Sequence, residues 1–413
     1  MMNNWFTGMD LSTLQAVEAN GGKFYDKGQQ GDAMEILRAY GMNLVRLRLW
    51  NDPFDEDGCS YGAGDCDIET VLVLAKRAKR LGVGWLLDFH YSDFWADPGK
   101  QRVPKAWRGM NAKELEQAVY DYTAEVLERC RREDVVPQMV AVGNELSNGL
   151  LWPLGQLSPG GTISDTYKNV AAFVSAGIRA VRDFERRINT GTIGTDRSHF
   201  VPDFGLPVRE EPSDGAMDGD SCKIPVMIHL DNGGNNELYR RWFDQYFANG
   251  GADFEYIGLS YYPFWHGTLE MLEANMNDIA LRYGKRLIVA EVSMGFTMED
   301  YAAYEQLSPK ERKGMATKPE IAAAVPYPMS PQGQADFMRD LICVIKKVPN
   351  GLGCGFVYWE AAWLPVPNVG WANAESCAYI QEPGPYGNEW ANQALFDYDG
   401  NALPALEAIA LSI

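Results

Sequence analysis

Eight short runs of the chain are apolar nearly throughout: 5–9, 43–50, 84–91, 139–145, 225–230, 256–262, 286–291 and 353–359. Between them lie stretches whose apolar residues recur at helical spacing, among them IETVLVLAKRAKRLG (68–82), AKELEQAVYDYTAEVLERCRRE (112–133) and TYKNVAAFVSAGIRAVRDF (166–184). Strands apolar on both faces, alternating with helices, imply a parallel sheet covered on its outer side. Eight such units predict a (β/α)8 TIM barrel of the α/β class, with residues 1–413 forming a single catalytic domain. A doubly wound sheet is the competing fold, disfavoured because no Gly-rich phosphate loop follows the first strand. No short repeat, low-complexity tract or composition shift marks a second domain. The long inserts (50–67, 92–110, 147–163, 186–222, 294–331 and 361–393) follow or fall near strand C-termini, the active face of such a barrel.

Two of these runs end in a carboxylate. Met139 to Val142 is broken by Gly143, Asn144 and Glu145 before a long loop, and RLIVAEVSMG (286–295) carries Glu291. Other strand ends bear Arg46 and Arg48, Asp88 and His90, His229 and Asp231, Tyr261 and Tyr262, and Trp359 and Glu360. A charged residue at one strand end is usually just solvated, but this combination pointing into one mouth predicts catalysis. Glycoside hydrolysis uses these types in distinct ways: one carboxyl must hold a proton for the leaving oxygen, and the other must be ionised to attack the anomeric carbon. Glu291 is the expected nucleophile, kept ionised by Arg46 and a tyrosine of the sixth strand, and Glu145 the expected acid/base. Asn144 is placed to donate to a sugar 2-hydroxyl, and Trp359 to offer the ring an apolar face. Trp95, Trp107, Trp152, Trp265, Trp363 and Trp371 are candidate sugar platforms.

Composition narrows the partners. With 46% apolar and 12% aromatic residues in 413, a large core is available, and a formal net charge of −19 argues against nucleic acid or an anionic membrane surface. A neutral substrate fits. No apolar stretch reaches the roughly 18 residues of a spanning helix. The start MMNNWFTGMD lacks a basic and apolar leader, which reads as cytoplasmic if this is the native start and extracellular if a signal was removed. Cys59 and Cys66 could close a small loop, but an odd count of seven cysteines and no metal spacing favour unpaired thiols. The acidic segment NDPFDEDGCSYGAGDCD lacks calcium-loop spacing, and four histidines, none paired at ligand spacing, argue against a catalytic zinc. No metal or other cofactor is expected.

The blocks GMDLS, NLVRLRLWNDP, DFHYSDFWADPGKQ, VGNELSNGLLWPLG, GLSYYPFWHGTL, VAEVS, FVYWEAAW and NQALFDYDGNALPAL occur in this order along nearly the whole chain. They resemble the successive blocks of glycoside hydrolase family 53, the arabinogalactan endo-β-1,4-galactanases. The resemblance implies a retaining barrel enzyme with Glu145 as acid/base and Glu291 as nucleophile. It implies Arg46, His90, Asn144, Tyr261 or Tyr262, and Trp359 around the reacting sugar; Asp88, Trp95 and Trp363 complete the expected substrate-binding set. The implied substrate is the β-1,4-galactan of type I pectic arabinogalactan, cut internally, and the expected state is a monomer. One departure concerns the loop after Glu291: bacterial members carry aromatics and an Asp/His/Asn calcium cluster there, whereas here Met294 and Gly295 follow and only Glu299 and Asp300 remain. Calcium is therefore not expected at that place. A related glucan- or mannan-cleaving enzyme and a non-catalytic sugar-binding barrel are the alternatives.

Overall fold

A computed structural model describes residues 5–157, 163–194, 222–299, 319–382, 384 and 387–413. Eight strands form a closed, all-parallel barrel: β1 (Phe6–Asp10), β2 (Leu44–Leu49), β3 (Gly84–Phe89), β4 (Met139–Val142), β5 (Val226–Leu230), β6 (Tyr256–Tyr261), β7 (Arg286–Val292) and β8 (Gly353–Tyr358). Each pairs with the next, and β8 closes on β1 with Gly8 opposite Val357. A side chain at Gly8 would meet Val357 Cγ2 at 2.7 Å, so the seam needs a residue without one.

Helices cover the outside, and their starts are written in the sequence. Asp67 caps Ile68–Arg80 by accepting from Thr70 N, Thr268 caps Leu269–Tyr283 through Met271 N, and Ser330 caps Pro331–Lys346 through Gly333 N. Asn111 and Glu114 form a reciprocal capping box at the head of Ala112–Arg132. Each such cap contributes about 1 kcal/mol. Between β1 and β2 the chain adds a feature absent from the expected pattern, a two-stranded hairpin of Phe24–Asp26 with Gln29–Gly31.

Period-two alternation divides the lower part of the barrel strands. Leu44, Leu86, Met139, Ala141, Met227, Tyr256, Ile288 and Ala290 fill the lower barrel interior, while their neighbours Val45, Leu87, Val140, Ile257 and Val289 pack outward in the large core beneath the helices. Continuing upward along the inward faces, the apolar layer gives way to Arg46, Arg48, Asp88, His229 and Ser260, all buried. A barrel top filled with polar side chains costs desolvation that only mutual pairing can offset.

Candidate active site

Glu145 leaves the barrel just beyond β4. Gly143, at φ +89°, turns the chain, and Glu145 itself adopts a left-handed conformation (φ 49°, ψ 57°) that costs a non-glycine residue about 1 kcal/mol or more. That turn aims its carboxyl inward, where Oε1 lies 2.6 Å from Ser260 Oγ. Glu291 reaches the same space by another device. Strict alternation from Ile288 and Ala290 would send it outward, but a register shift against β6 sets Glu291 opposite Ser260. The bulge re-aims the side chain into the barrel. There Arg46 Nη2 lies 2.8 Å from Glu291 Oε1, and Tyr262 donates to Oε2 at 2.8 Å. A carboxylate oxygen of each glutamate lies within 4.8 Å of the other.

Two buried arginines organise the floor. Arg46 contacts Asp10 at 2.9 Å, Asp88 at 2.7 Å and the side-chain oxygen of Asn144 at 2.7 Å. Arg48 reaches Asp10 at 2.8 Å and Glu360 at 2.5 Å, and its guanidinium lies 4.5 Å from the ring centre of Trp95. Shared carboxylates thus neutralise both cations away from water. Burial favours the neutral form of Asp88, but Arg46 and His90 overcome it and hold that carboxyl at about 2. His90 accepts from Ala96 N at 3.0 Å through Nδ1, so its hydrogen is on Nε2, 3.2 Å from Asp88 Oδ2.

The two glutamates differ in what surrounds them. Burial pushes Glu145 well above the usual carboxyl range, and the charges of Glu291 and Asp231 push it further. Burial raises Glu291 too, but the Arg46 guanidinium and the Tyr262 hydroxyl work against that rise. Neighbouring carboxylates thus add to the rise at Glu145, while a cation and a phenol oppose it at Glu291. Asp231, beside the same cavity, is itself raised by burial to about 6.

Above the pair opens a cavity of about 330 Å³, within the range of small-ligand sites. Of the expected residues, Glu145, Glu291, Asn144, Tyr262, Trp95 and Trp359 line it, with Trp265 and Trp371 at the walls. Arg46, Asp88 and His90 lie one layer deeper and act on the cavity through Glu291, Asn144 and Trp95. Tyr261 and Trp363 are corrections. Tyr261 falls on the outward face of β6, where its hydroxyl donates to Gly267 O and its ring stacks on Phe337. Trp363 is fully buried beneath Trp359 with its indole N–H bound to Asn388 at 2.7 Å. Trp107 packs among Tyr91 and Tyr122, Trp152 turns its N–H to Asn148 O, and neither lines the cavity. Three participants were missed: Trp390, which packs against Tyr262 and Trp359, His266, and Ser260. Ser260 had a signal, since it lies two residues before Tyr262, and extended chain running on from β6 turns both to one side.

Cys59 and Cys66 form no disulfide: Cys59 is exposed, while Cys66 is buried beside Arg48. Among the described residues, one group of three possible metal ligands stands out, Glu145, His229 and Glu291. Both ring nitrogens of His229 are already engaged, by Asn144 and Ser260, so that group offers no free imidazole lone pair. Glu299 lies at the edge of the described residues and Asp300 outside them. No helix among the described residues is long and apolar enough to cross a membrane.

The sequence pattern of Glycosyl hydrolase family 53 matches residues 6–409. A Niallia circulans protein described as uncharacterized is 36% identical, covering 97% of this chain and 92% of its own. The endo-beta-1,4-galactanase of Bacillus subtilis (strain 168) is 32% identical, covering 98% and 86%. Among solved structures, the Ignisphaera aggregans GH53 catalytic domain superposes with a TM-score of 0.80 at 33% identity, covering 99% of this chain and 96% of that one.

Proposed function

This chain belongs to glycosyl hydrolase family 53 and is a glycoside hydrolase, and from that premise we propose that it is a retaining endo-β-1,4-galactanase acting on the galactan of type I arabinogalactan. The observation that carries the reading is the unequal pair of glutamates: oxygens within 4.8 Å, one carboxyl pushed up by burial and neighbouring carboxylates and the other held against a cation. Retaining enzymes place their carboxyls about 5 to 5.5 Å apart, whereas inverting ones need about 6.5 to 9.5 Å to admit a water. Oxygens within 4.8 Å are compatible with direct attack, and the proposal of retention rests on the pairing of Glu291 with Arg46 and Tyr262.

In the first step Glu291 attacks the anomeric carbon while Glu145 gives its proton to the departing oxygen, leaving a glycosyl ester on Glu291. In the second, Glu145, now a carboxylate, takes a proton from water, and the hydroxyl oxygen displaces Glu291 with net retention. Arg46 and Tyr262 hold Glu291 ionised before attack and receive it again as leaving group. Asn144 spends one amide hydrogen on Ala96 O, which leaves the other for the sugar 2-hydroxyl. Trp95, Trp359, Trp371 and Trp390 supply apolar faces for the rings, and Trp265, 40% exposed, extends them toward solvent. No step calls on a metal or other cofactor, and the proposed working unit is a monomer on its polysaccharide. The galactan assignment draws on the name of the Bacillus subtilis relative.

The test is a time course on unbranched β-1,4-galactan, with the anomeric form of the first products read by NMR. The expected outcome is a ladder of intermediate oligosaccharides released in the β form. Intact galactan alongside a cut glucan or mannan would overturn the substrate, and α products would overturn the double displacement.

A further inference from the structure

Behind Glu145 three buried polar side chains run in single file across the barrel. Ser260 Oγ lies 2.6 Å from Glu145 Oε1 and 2.8 Å from His229 Nε2, and His229 Nδ1 lies 2.9 Å from the side-chain oxygen of Asn144. Ser260, His229 and Asn144 are 0%, 1% and 4% exposed, so their polar atoms must find partners within the protein.

The direction of this chain can be read from its far end. Asn144 donates its amide to Ala96 O at 2.8 Å and accepts from Arg46 at 2.7 Å. Turning the amide over would set its NH2 against the guanidinium and its oxygen against a carbonyl, so the orientation is fixed. His229 Nδ1 therefore faces an acceptor and carries the hydrogen. Burial and the charge of Arg46 push His229 down to about 3, which leaves the ring neutral and Nε2 bare. A bare Nε2 at 2.8 Å takes the single hydroxyl hydrogen of Ser260. Ser260 then has only lone pairs to offer, and the hydrogen in its contact with Glu145 must come from the carboxyl.

We propose that Ser260 and His229 are positioning residues that hold Glu145 in its protonated form, through hydrogen bonds donated in the order Glu145 to Ser260 to His229 to Asn144. The proposal deepens the reading of Glu145 as acid/base and rests on it. Once Glu145 has given its proton to the leaving oxygen, two acceptors face each other until Ser260 turns its hydroxyl toward the new carboxylate and abandons His229. That ionised state lacks one hydrogen bond, which strengthens Glu145 as the base that takes the proton back from water. Other groups also face Glu145: Glu291 from β7, Asp231 after β5, Asp97 after β3, and the phenols of Tyr239 and Tyr262. Arg46, Asp88 and His90 face His229. A substitution at Ser260 leaves all of these in place.

The sign of one titration tests the order. With Ser260 as acceptor, Ser260→Ala removes a partner of the neutral carboxyl, and the Glu145 titration falls by about half to one pH unit. With Ser260 as donor to the carboxylate, the same substitution raises it. The measurement is 13C NMR of the glutamate carboxyls in the full chain, with Glu145 assigned through Glu145→Gln. It uses no sugar, so a failure on galactan and a failure of this proposal are separate results. An unchanged or raised titration overturns it. Should Ser260→Ala not fold, the 15N imidazole shifts of the parent decide: with four histidines in the chain, His229 is assigned through its contact to Ser260. The neutral Nδ1–H form is expected from about pH 5 to about pH 8, and an Nε2–H ring or an imidazolium overturns the order.

Discussion

Glu145 and Glu291 are one residue type in one cavity, with oxygens within 4.8 Å of each other, yet their surroundings share little. Glu291 stands between a guanidinium and a phenol that both donate to it. Glu145 faces three carboxylates, Glu291, Asp231 and Asp97, and one serine hydroxyl. Burial raises both. The difference lies in the partners: a cation and a phenol converge on Glu291 and carboxylates on Glu145, the contrast on which the proposed roles rest.

Substitutions can break that comparison on either side. The largest effect is expected from Glu291→Ala, which removes the group proposed to attack. Turnover of galactan should fall by about 10³-fold or more, by analogy with nucleophile losses elsewhere, and a variant retaining a tenth of parent kcat would remove β7 from the chemistry. Glu145→Ala should cost galactan cleavage about 10²- to 10⁴-fold, the usual worth of general acid catalysis. On an aryl β-galactoside whose leaving group needs no proton, the first step should be largely spared. Equal losses on both substrates, measured as burst amplitudes, would show that Glu145 does not protonate the leaving oxygen.

Tyr262→Phe probes the smaller contribution. It deletes one donor to Glu291 and keeps the ring against Trp390. Glu291 then loses a contact that favours its charged form, so its folded-state titration moves up. Because the nucleophile must be ionised, the acidic limb of kcat/KM should shift to higher pH, by about one unit, with about tenfold less activity below it. An acidic limb that stays in place would mean that Arg46 alone holds the charge.

Much of this was legible from the chain. Parallel strands buried on both faces produce wholly apolar runs, which is why all eight stand out, although the expected run 139–145 overshoots β4, which ends at Val142. The hairpin Phe24–Asp26 with Gln29–Gly31 carries no apolar run and left no such signal. The choice between Tyr261 and Tyr262 was open on resemblance, yet alternation from Tyr256 through Gly258 and Ser260 already favours Tyr262. Trp363 and Trp390 could not have been told apart that way. Both lie beyond β8 in irregular chain, where no period says which indole is buried and which faces the cavity.

The sequence by itself determined the order of elements, the barrel they close, and the arrival of a carboxylate at the ends of β4 and β7, because hydrophobic period and caps act over a few residues at a time. The inward aim of Glu291 was decided only in the folded chain, by a bulge defined against β6. So were the unlike surroundings of the two carboxyls. Ser260 and Glu145 are 115 residues apart in sequence, and Arg46 and Asn144 are 98 apart. Desolvation and charge interactions depend on distances in space, and those distances exist only once the barrel has closed.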